Sequence, residues 1–472
     1  MDQTPVTIAG TPVTTDGSVP VTNPYTGDVV AEVPLCGPAE VDRACTHARD
    51  VLRADELAQH ERAAMLDRAS RLVGERADDL ARTIATESGK PLKTAAVEVS
   101  RAVDTFAFAA TEARRLGGEV LPMEASTSGA GKLGLALRLP AGVVAAISPF
   151  NFPLNLVAHK LAPAIAAGCP VVLKPAPQTP LTAIALVELL VDAGLPADWI
   201  SVVTDTRAEA AGPLVEHPIP AVVTFTGSVP VGWGIAAAAP RKKVLLELGS
   251  NSPLIIEPDA DLDGFAGRCT PAAFGFAGQS CISVQRLLVH RSVHDRVVEE
   301  LVARTSGLVV GDPLDPATDV GPLVDTDAAE RVRSWIDAAV DAGASLVTGG
   351  ERDGAVVAPA VLTGVDTSSD VWRKEVFGPV VAVRAYDTFD EAVALANDSE
   401  FGLHAGVFTQ SLRTALRAVR ELDFGGVLVN EVPTFRADQQ PYGGVRDAGN
   451  TREGPAYAVE EMTTLRFVSL QP

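Results

Sequence analysis

No stretch of this sequence reaches about 18 uninterrupted apolar residues, which argues against a membrane-spanning helix. The N-terminus, MDQTPVTIAGTPVTTDGSVP, lacks a basic start, an apolar core and a small-residue cleavage pattern, so a secretory leader is not expected. No run of Lys and Arg interleaved with aromatics is present, and the net charge is −21, so the electrostatic basis for binding nucleic acid or an anionic membrane surface is missing. Cysteine is scarce. Its five positions (36, 45, 169, 269 and 281) are odd in number and scattered, which gives neither a disulfide framework nor metal-ligand spacing. These absences predict a cytoplasmic protein without a metal site, and the acidity reads as solubility.

What is present is a long, apolar-rich chain of 472 residues with 47% hydrophobic content, enough for more than one core. From about residue 57 the apolar residues Leu66, Ala69, Val73, Ala77, Leu80 and Ile84 recur at helical spacing as far as a stop at Gly89 and Pro91, and a second helix runs through Val97 to Leu116. After the Gly/Ser-rich stretch 126–134 the texture changes. Short apolar runs at Val143–Ile147, Val171–Lys174, Ile200–Val203, Ala221–Thr226 and Val244–Leu248 alternate with helical patterns, which predicts a doubly wound parallel α/β sheet. One of those helices carries explicit end signals, with Thr179 as its N-cap, Pro180 at its first position and Gly194 and Pro196 beyond it. A second alternating series after Ser252 predicts a further α/β domain. The alternating segments 120–140 and 455–470 read as edge strands or a hairpin available for oligomer contacts.

Four local patterns carry chemistry. Cys281 lies in Gly-Phe-Ala-Gly-Gln-Ser-Cys, where Gly275, Gly278 and Ser280 allow close approach to a thiol nucleophile; a lone cysteine is otherwise most often a buried one. Glu247 ends the apolar run Leu245-Leu246-Glu247-Leu248, a setting that raises a carboxyl pKa toward that of a general base, although an ion pair explains such a residue as well. Asn151 follows the Val143–Ile147 run in Ser-Pro-Phe-Asn-Phe-Pro, where its amide can donate to an oxyanion or simply form a turn. Thr226-Gly227-Ser228 opens a helix where backbone N–H groups can meet phosphate, but without G-x-G-x-x-G spacing.

Together these patterns resemble the aldehyde dehydrogenase superfamily, in order as well as in residue type. The resemblance extends over nearly the whole chain through Asn23-Pro24-Tyr25-Thr26-Gly27, Gly311-Asp312-Pro313-Leu314, Glu375-Val376-Phe377-Gly378-Pro379 and Pro441-Tyr442-Gly443-Gly444-Val445. It implies a Rossmann-type cofactor domain (1–121 and 141–248), a catalytic domain (249–440) and a small β oligomerisation element (122–140 and 441–472) that makes a homodimer or homotetramer. The implied reaction is oxidation of an aldehyde to its acid by NAD or NADP, through a thioester on Cys281 hydrolysed by water that Glu247 activates. Asn151 and the Cys281 backbone N–H would form the oxyanion hole. Lys174 and Glu375 would hold ribose hydroxyls, and Phe150, Thr226, Gly227, Ser228, Leu248 and Phe377 would line the rest of the cofactor site. Ser250, Arg446, Ala448 and Thr451 depart from the family's commoner residues at places that affect packing or assembly.

Relatives that prefer NAD often carry a glutamate three residues after the lysine, where Pro177 stands here, so the repulsion against NADP is absent. Arg101, His159 and Arg436 fall where the family lines its substrate tunnel, and the branch resembled acts on lactaldehyde, glyceraldehyde phosphate, phosphonoacetaldehyde and semialdehydes. A small anionic aldehyde is therefore the expected substrate. Two alternatives accompany this expectation. One is transfer of the acyl group to coenzyme A, for which Glu247 would be superfluous; the other is a non-catalytic relative, against which the four intact motifs stand.

Overall fold

The computed structural model describes residues 2–54, 57–206 and 209–471. Five parallel strands form one sheet in the order Lys243–Leu248, Val222–Gly227, Val144–Ile147, Val171–Lys174, Ile200–Val202. Three of these strands, reading VAAI, VVLK and ISV, are buried at every position, as strands covered on both faces must be. The chain enters this sheet at Val144, winds outward to Ile200, then returns to the other side of its starting strand at Val222. Winding therefore reverses between the Val144–Ile147 and Val222–Gly227 strands. The crevice beyond their carboxyl ends is where such a sheet receives ligands.

Sheet membership changes between Leu248 and Ser252. Seven strands form the second sheet in the order Ser345–Thr348, Ala360–Thr363, Val380–Tyr386, Val284–His290, Ser252–Ile256, His404–Phe408, Gly426–Val429, parallel except for the first pair. Each sheet has its own apolar core. Between them the carboxyl ends of the Val222–Gly227 and Lys243–Leu248 strands face the loop that carries Cys281.

A third, antiparallel sheet joins Thr463–Leu470, Leu133–Pro140 and Gly118–Leu121. The expected element 441–472 divides here. Only Thr463–Leu470 enters this sheet, whereas the turn around Tyr442 and Glu453 folds back along the Lys243–Leu248 strand, held by Asn450, whose side chain bonds Leu246 N–H and Val244 C=O.

Two helix expectations need correction. The periodic run from residue 57 is two helices, Gln59–Glu75 and Ala77–Ser88, because Arg76 between them leaves helical geometry at φ −106° and ψ 23°. Thr179 does precede the Pro180–Asp192 helix, but its hydroxyl makes no capping bond and has no partner among the described residues. The cap comes instead from a distant helix, since Glu87 accepts the N–H groups of Leu181 and Thr182 at 2.8 and 2.9 Å.

Candidate active site

The segment before Cys281 is backbone under strain. Phe276 and Ala277 hold φ of 50° and 51°, and Gly278 follows at 69°. The two side-chain-bearing residues cost about 1 kcal/mol or more each in that region. Gly278 must be glycine, because a Cβ there would collide with the carbonyl of Gly378, beside the equally left-handed Phe377. The turn is fastened by Gln279, whose side chain donates to Phe276 and Pro322 carbonyls and accepts from Val324 N–H. It delivers Cys281, half-buried, with Sγ 2.9 Å from the Tyr442 hydroxyl. Burial pushes the thiol up to about 12, with Glu375 and Glu247 adding to the rise and the Tyr442 hydrogen bond and Arg436 opposing it.

Asn151 reaches the same turn from the first sheet. Its Nδ2 donates to the Gln279 carbonyl at 3.0 Å, which fixes the amide plane against the loop two residues before the thiol. Its Nδ2 makes no other hydrogen bond among the described residues. Glu247 closes the third side. Both its carboxyl oxygens are buried without a hydrogen-bond partner among the described residues, a costly state for a carboxyl. Gly443 makes room for this carboxyl, since a Cβ there would lie 2.7 Å from Oε1. Burial raises the Glu247 pKa well above the ordinary carboxylate range and the nearby Glu453 raises it further, against the pull of Arg436, Lys160 and Arg452.

The wall leading away from the thiol is built by two facing helices, Leu92–Arg115 and Asn155–Ala167. Glu98, Arg101 and Thr105 share one face of the first at helical spacing, as Asn155 and His159 do on the second. Glu98 accepts Leu154 and Asn155 N–H at 2.9 and 3.1 Å, which seats the start of the second helix; Lys90 pairs with Glu98 and lies 3.7 Å over the Phe152 ring. Asp438 then ties both helices to the C-terminal loop. It takes Arg101 through Nη2 at 2.9 Å and Nε at 3.3 Å, His159 Nε2 at 2.9 Å and Asn155 Nδ2 at 3.1 Å. Nearer the thiol, Arg436 bonds Glu453 at 2.9 Å and stacks 3.7 Å from the centroid of the Tyr442 ring. Glu453 also faces Lys160 at 3.7 Å.

Arg101 and His159 thus share Asp438, Arg436 is held separately by Glu453, and the two groups act on each other through charge alone. His159 is wholly buried, and this burial with the neighbouring Arg436 lowers its pKa, so the neutral ring gives its Nε2–H to Asp438. Both arginines are anchored by carboxylates. Arg101 is held along its Nε–Nη2 edge, which leaves Nη1 free of any hydrogen bond among the described residues, and Arg436 keeps Nε buried without a partner. Asp438 is held below the ordinary carboxylate range despite its burial, by the His159 hydrogen bond and the Arg101 charge. It therefore stays ionised and tethers Arg101.

In the crevice of the first sheet, Glu375 accepts the Ser250 N–H at 2.9 Å through one oxygen, and its other oxygen has no hydrogen bond among the described residues. A Cβ on Gly249 would run into this carboxyl. Burial moves Glu375 up to about 7, against Ser250 N–H and Arg331. Phe377 meets Phe150 edge-on at 5.8 Å. Lys174 lies 2.6 Å from Asp205, and Pro177 follows half-buried. Thr226 accepts from Lys160 Nζ at 2.7 Å; Ser228 occupies the N-cap of the Val229–Ala238 helix, with Gly227 before it and Leu248 packed beneath Gly232.

Sequence reading passed over Asp438, Tyr442, Glu453, Lys160 and Asp205. Tyr442 stood in a motif already recognised; the others gave no local signal, because their significance lies in partners far along the chain.

Among proteins compared with the chain, a profile of the aldehyde dehydrogenase family matches residues 12–468. The 3-sulfolactaldehyde dehydrogenase of Priestia aryabhattai is 44% identical over 97% of this chain and 96% of its own. Among solved structures, aldehyde dehydrogenase 21 from Physcomitrella patens in complex with the reaction product succinate superposes with a TM-score of 0.96 at 40% identity, covering 99% of this chain and 98% of that one. The glyceraldehyde-3-phosphate dehydrogenase GapN from Methanocaldococcus jannaschii complexed with NADP gives 0.93 at 36% identity, over 97% of this chain and all (100%) of that one.

Proposed function

The chain belongs to the aldehyde dehydrogenase family and is an NAD(P)-dependent oxidoreductase, and from that premise we propose that it oxidises a short aldehyde bearing a sulfonate, carboxylate or phosphate group, with Cys281 as nucleophile. The observation that carries the substrate class is the placement of Arg436, one aromatic ring away from the sulfur, with its Nε buried and unpartnered. A charged guanidinium so placed is desolvated at a cost that an anionic substrate group offsets. Arg101, aligned by Asp438, supplies a second set of donors. The three relatives named above act on or bind small molecules with sulfonate, carboxylate or phosphate, which supports the same class.

The residues fit a dinucleotide. The open carboxylate oxygen of Glu375 and the ammonium of Lys174 suit ribose hydroxyls, the absence of a Cβ at Gly249 opens the crevice beside Glu375, and Phe377 and Phe150 form an apolar wall. When bound, the nicotinamide accepts the hydride of the reaction. The Cys281 thiolate adds to the aldehyde carbon, and the oxygen that gains charge is received by Asn151 Nδ2 and the Cys281 backbone N–H. Loss of hydride leaves a thioester on Cys281. Glu247 then takes a proton from the water that attacks it, the C–S bond breaks, and the carboxylic acid leaves. This use explains why a carboxyl is buried without any protein partner. A coenzyme A acceptor would give it no role.

The third sheet exposes Val120, Leu133, Leu465, Phe467 and Leu470 on one small element, which supports self-association as a dimer or tetramer. No helix of the described residues is long and apolar enough to cross a membrane, and all five cysteines are unpaired, in keeping with a reducing cytoplasm. The test of the functional reading is kcat/KM for sulfonated, carboxylated and phosphorylated aldehydes against neutral analogues, with Cys281→Ala as control. Equal efficiency on neutral analogues overturns the substrate class, and turnover in Cys281→Ala overturns the nucleophile.

A further inference from the structure

The Tyr442 hydroxyl lies 2.9 Å from Cys281 Sγ and has no other hydrogen-bond partner among the described residues. The phenol ring is packed between two neighbours. Arg436 covers one face at 3.7 Å, and the His404 ring meets it edge-on at 5.0 Å. Tyr442 also belongs to a small apolar cluster with Ile282, Leu403 and Ala448 that encloses the sulfur. While the thiol is protonated either atom can donate; once it ionises only the phenol can. Burial holds the Tyr442 pKa well above its ordinary value, against the pull of Arg436, so the phenol keeps its proton at neutral pH.

We propose that Tyr442 is a catalytic residue of this enzyme, donating its phenolic proton in a hydrogen bond to the Cys281 thiolate and so setting the fraction of nucleophile present at neutral pH. The inference rests on Cys281 being the nucleophile. The other charged groups facing the sulfur act in both directions, Glu375 and Glu247 against the thiolate and Arg436 for it. Tyr442 is the only hydrogen-bond partner of the sulfur among the described residues. When sulfur bonds to carbon it becomes a weak acceptor, and the hydroxyl is released without any proton having been transferred.

The experiment is the pH dependence of Cys281 alkylation by iodoacetamide, read by peptide mass, in the wild-type protein and in Tyr442→Phe, which keeps the ring under Arg436. The expected result is an apparent thiol pKa about one unit higher in Tyr442→Phe. Below that pKa alkylation should slow about threefold, because the loss of thiolate outweighs the gain in intrinsic nucleophilicity. Replacing Tyr442 with ortho-fluorotyrosine, a stronger donor of nearly the same shape, should shift the profile the other way. Superimposable profiles for all three proteins overturn the role of Tyr442. Alkylation that bypasses Cys281 in the wild type instead overturns the nucleophile assignment. Should Tyr442→Phe fail to fold, judged by cofactor binding and melting, the fluorotyrosine protein decides: an unshifted profile overturns the proposal.

Discussion

Arg436 stacks 3.7 Å from the centre of the Tyr442 ring while its Nη2 is held by Glu453, so one guanidinium is oriented by a carboxylate on one side and an aromatic face on the other. The pairing makes the cation permanent, since Glu453 holds the Arg436 pKa up although burial works against it. A fixed, partly unsatisfied charge close to a nucleophile acts on substrates by their charge.

Arg436→Met, which keeps length and packing, should lower kcat/KM for an anionic aldehyde by about one to two orders of magnitude, the equivalent of one charge-assisted hydrogen bond of about 1.5 to 3 kcal/mol. A neutral aldehyde of similar size should change little. Equal losses on both substrates would make Arg436 structural.

Glu247→Gln should leave hydride transfer intact and stall hydrolysis. Rapid mixing should show a burst of reduced cofactor followed by turnover slowed by about two to four orders of magnitude. The pH dependence follows from the raised pKa: the base is active above that value and lost as pH falls through it, so deacylation in the wild type should climb with pH beyond the ordinary carboxylate range. The climb should vanish in Glu247→Gln. A wild-type rate that is flat from acid to neutral pH speaks against this assignment.

How much of this was legible in the sequence divides by the range of the interactions. The first sheet was readable because doubly covered strands such as Val171–Lys174 are continuous apolar runs closed by turn residues. In the second sheet Ser252–Ile256 and His404–Phe408 escaped, since Pro253 interrupts one and His404 with Gly406 dilutes the other. Cys281, Glu247 and Asn151 were singled out by motifs, and the structure brings all three to one turn. The Asp438 hub was not, because its meaning depends on Arg101, Asn155 and His159, which reach it from hundreds of residues earlier. For the same reason the sequence grouped His159 with the two arginines as a tunnel residue: its charge is decided by burial and by Arg436 and Asp438, and no local pattern reports that.

Asp438→Asn should loosen Arg101 and cost stability, by about 3 to 5 kcal/mol for removing one partner of a buried charged pair. Because the Asp438 pKa is depressed in the folded protein, its contribution is fully present above the ordinary aspartate value of about 3.9 and is lost as pH falls through the depressed one. The stability gap between wild type and variant, measured by denaturant melts, should therefore be constant near neutrality and narrow only in strong acid. KM for the anionic aldehyde should rise with kcat nearly unchanged. A gap that narrows near pH 6 would point to His159 titration instead.

The proposed cofactor site sets Lys174, Pro177 and Asp205 where an adenosine ribose phosphate would be tested. Pro177 offers no carboxylate to repel a phosphate on the adenosine ribose, so NADP should be used at least as well as NAD. The acid that does lie near Lys174, Asp205, is fully buried, 2.6 Å from the lysine ammonium, and its other oxygen accepts the N–H groups of Ala210 and Ala211. It is held beneath the lysine, and the ammonium compensates its charge before a ribose phosphate would meet it. Pro177→Glu places an unpaired carboxylate at the discriminating position and should lower the NADP to NAD ratio of kcat/KM by about one order of magnitude or more, mostly by raising KM for NADP. Asp205→Asn should leave the ratio nearly unchanged while weakening the loop it supports. Steady-state assays with both cofactors on the three proteins decide the matter. A wild type that already prefers NAD a hundredfold, or an Asp205→Asn variant that swings strongly to NADP, would show that the buried acid, and not the residue at 177, governs the choice.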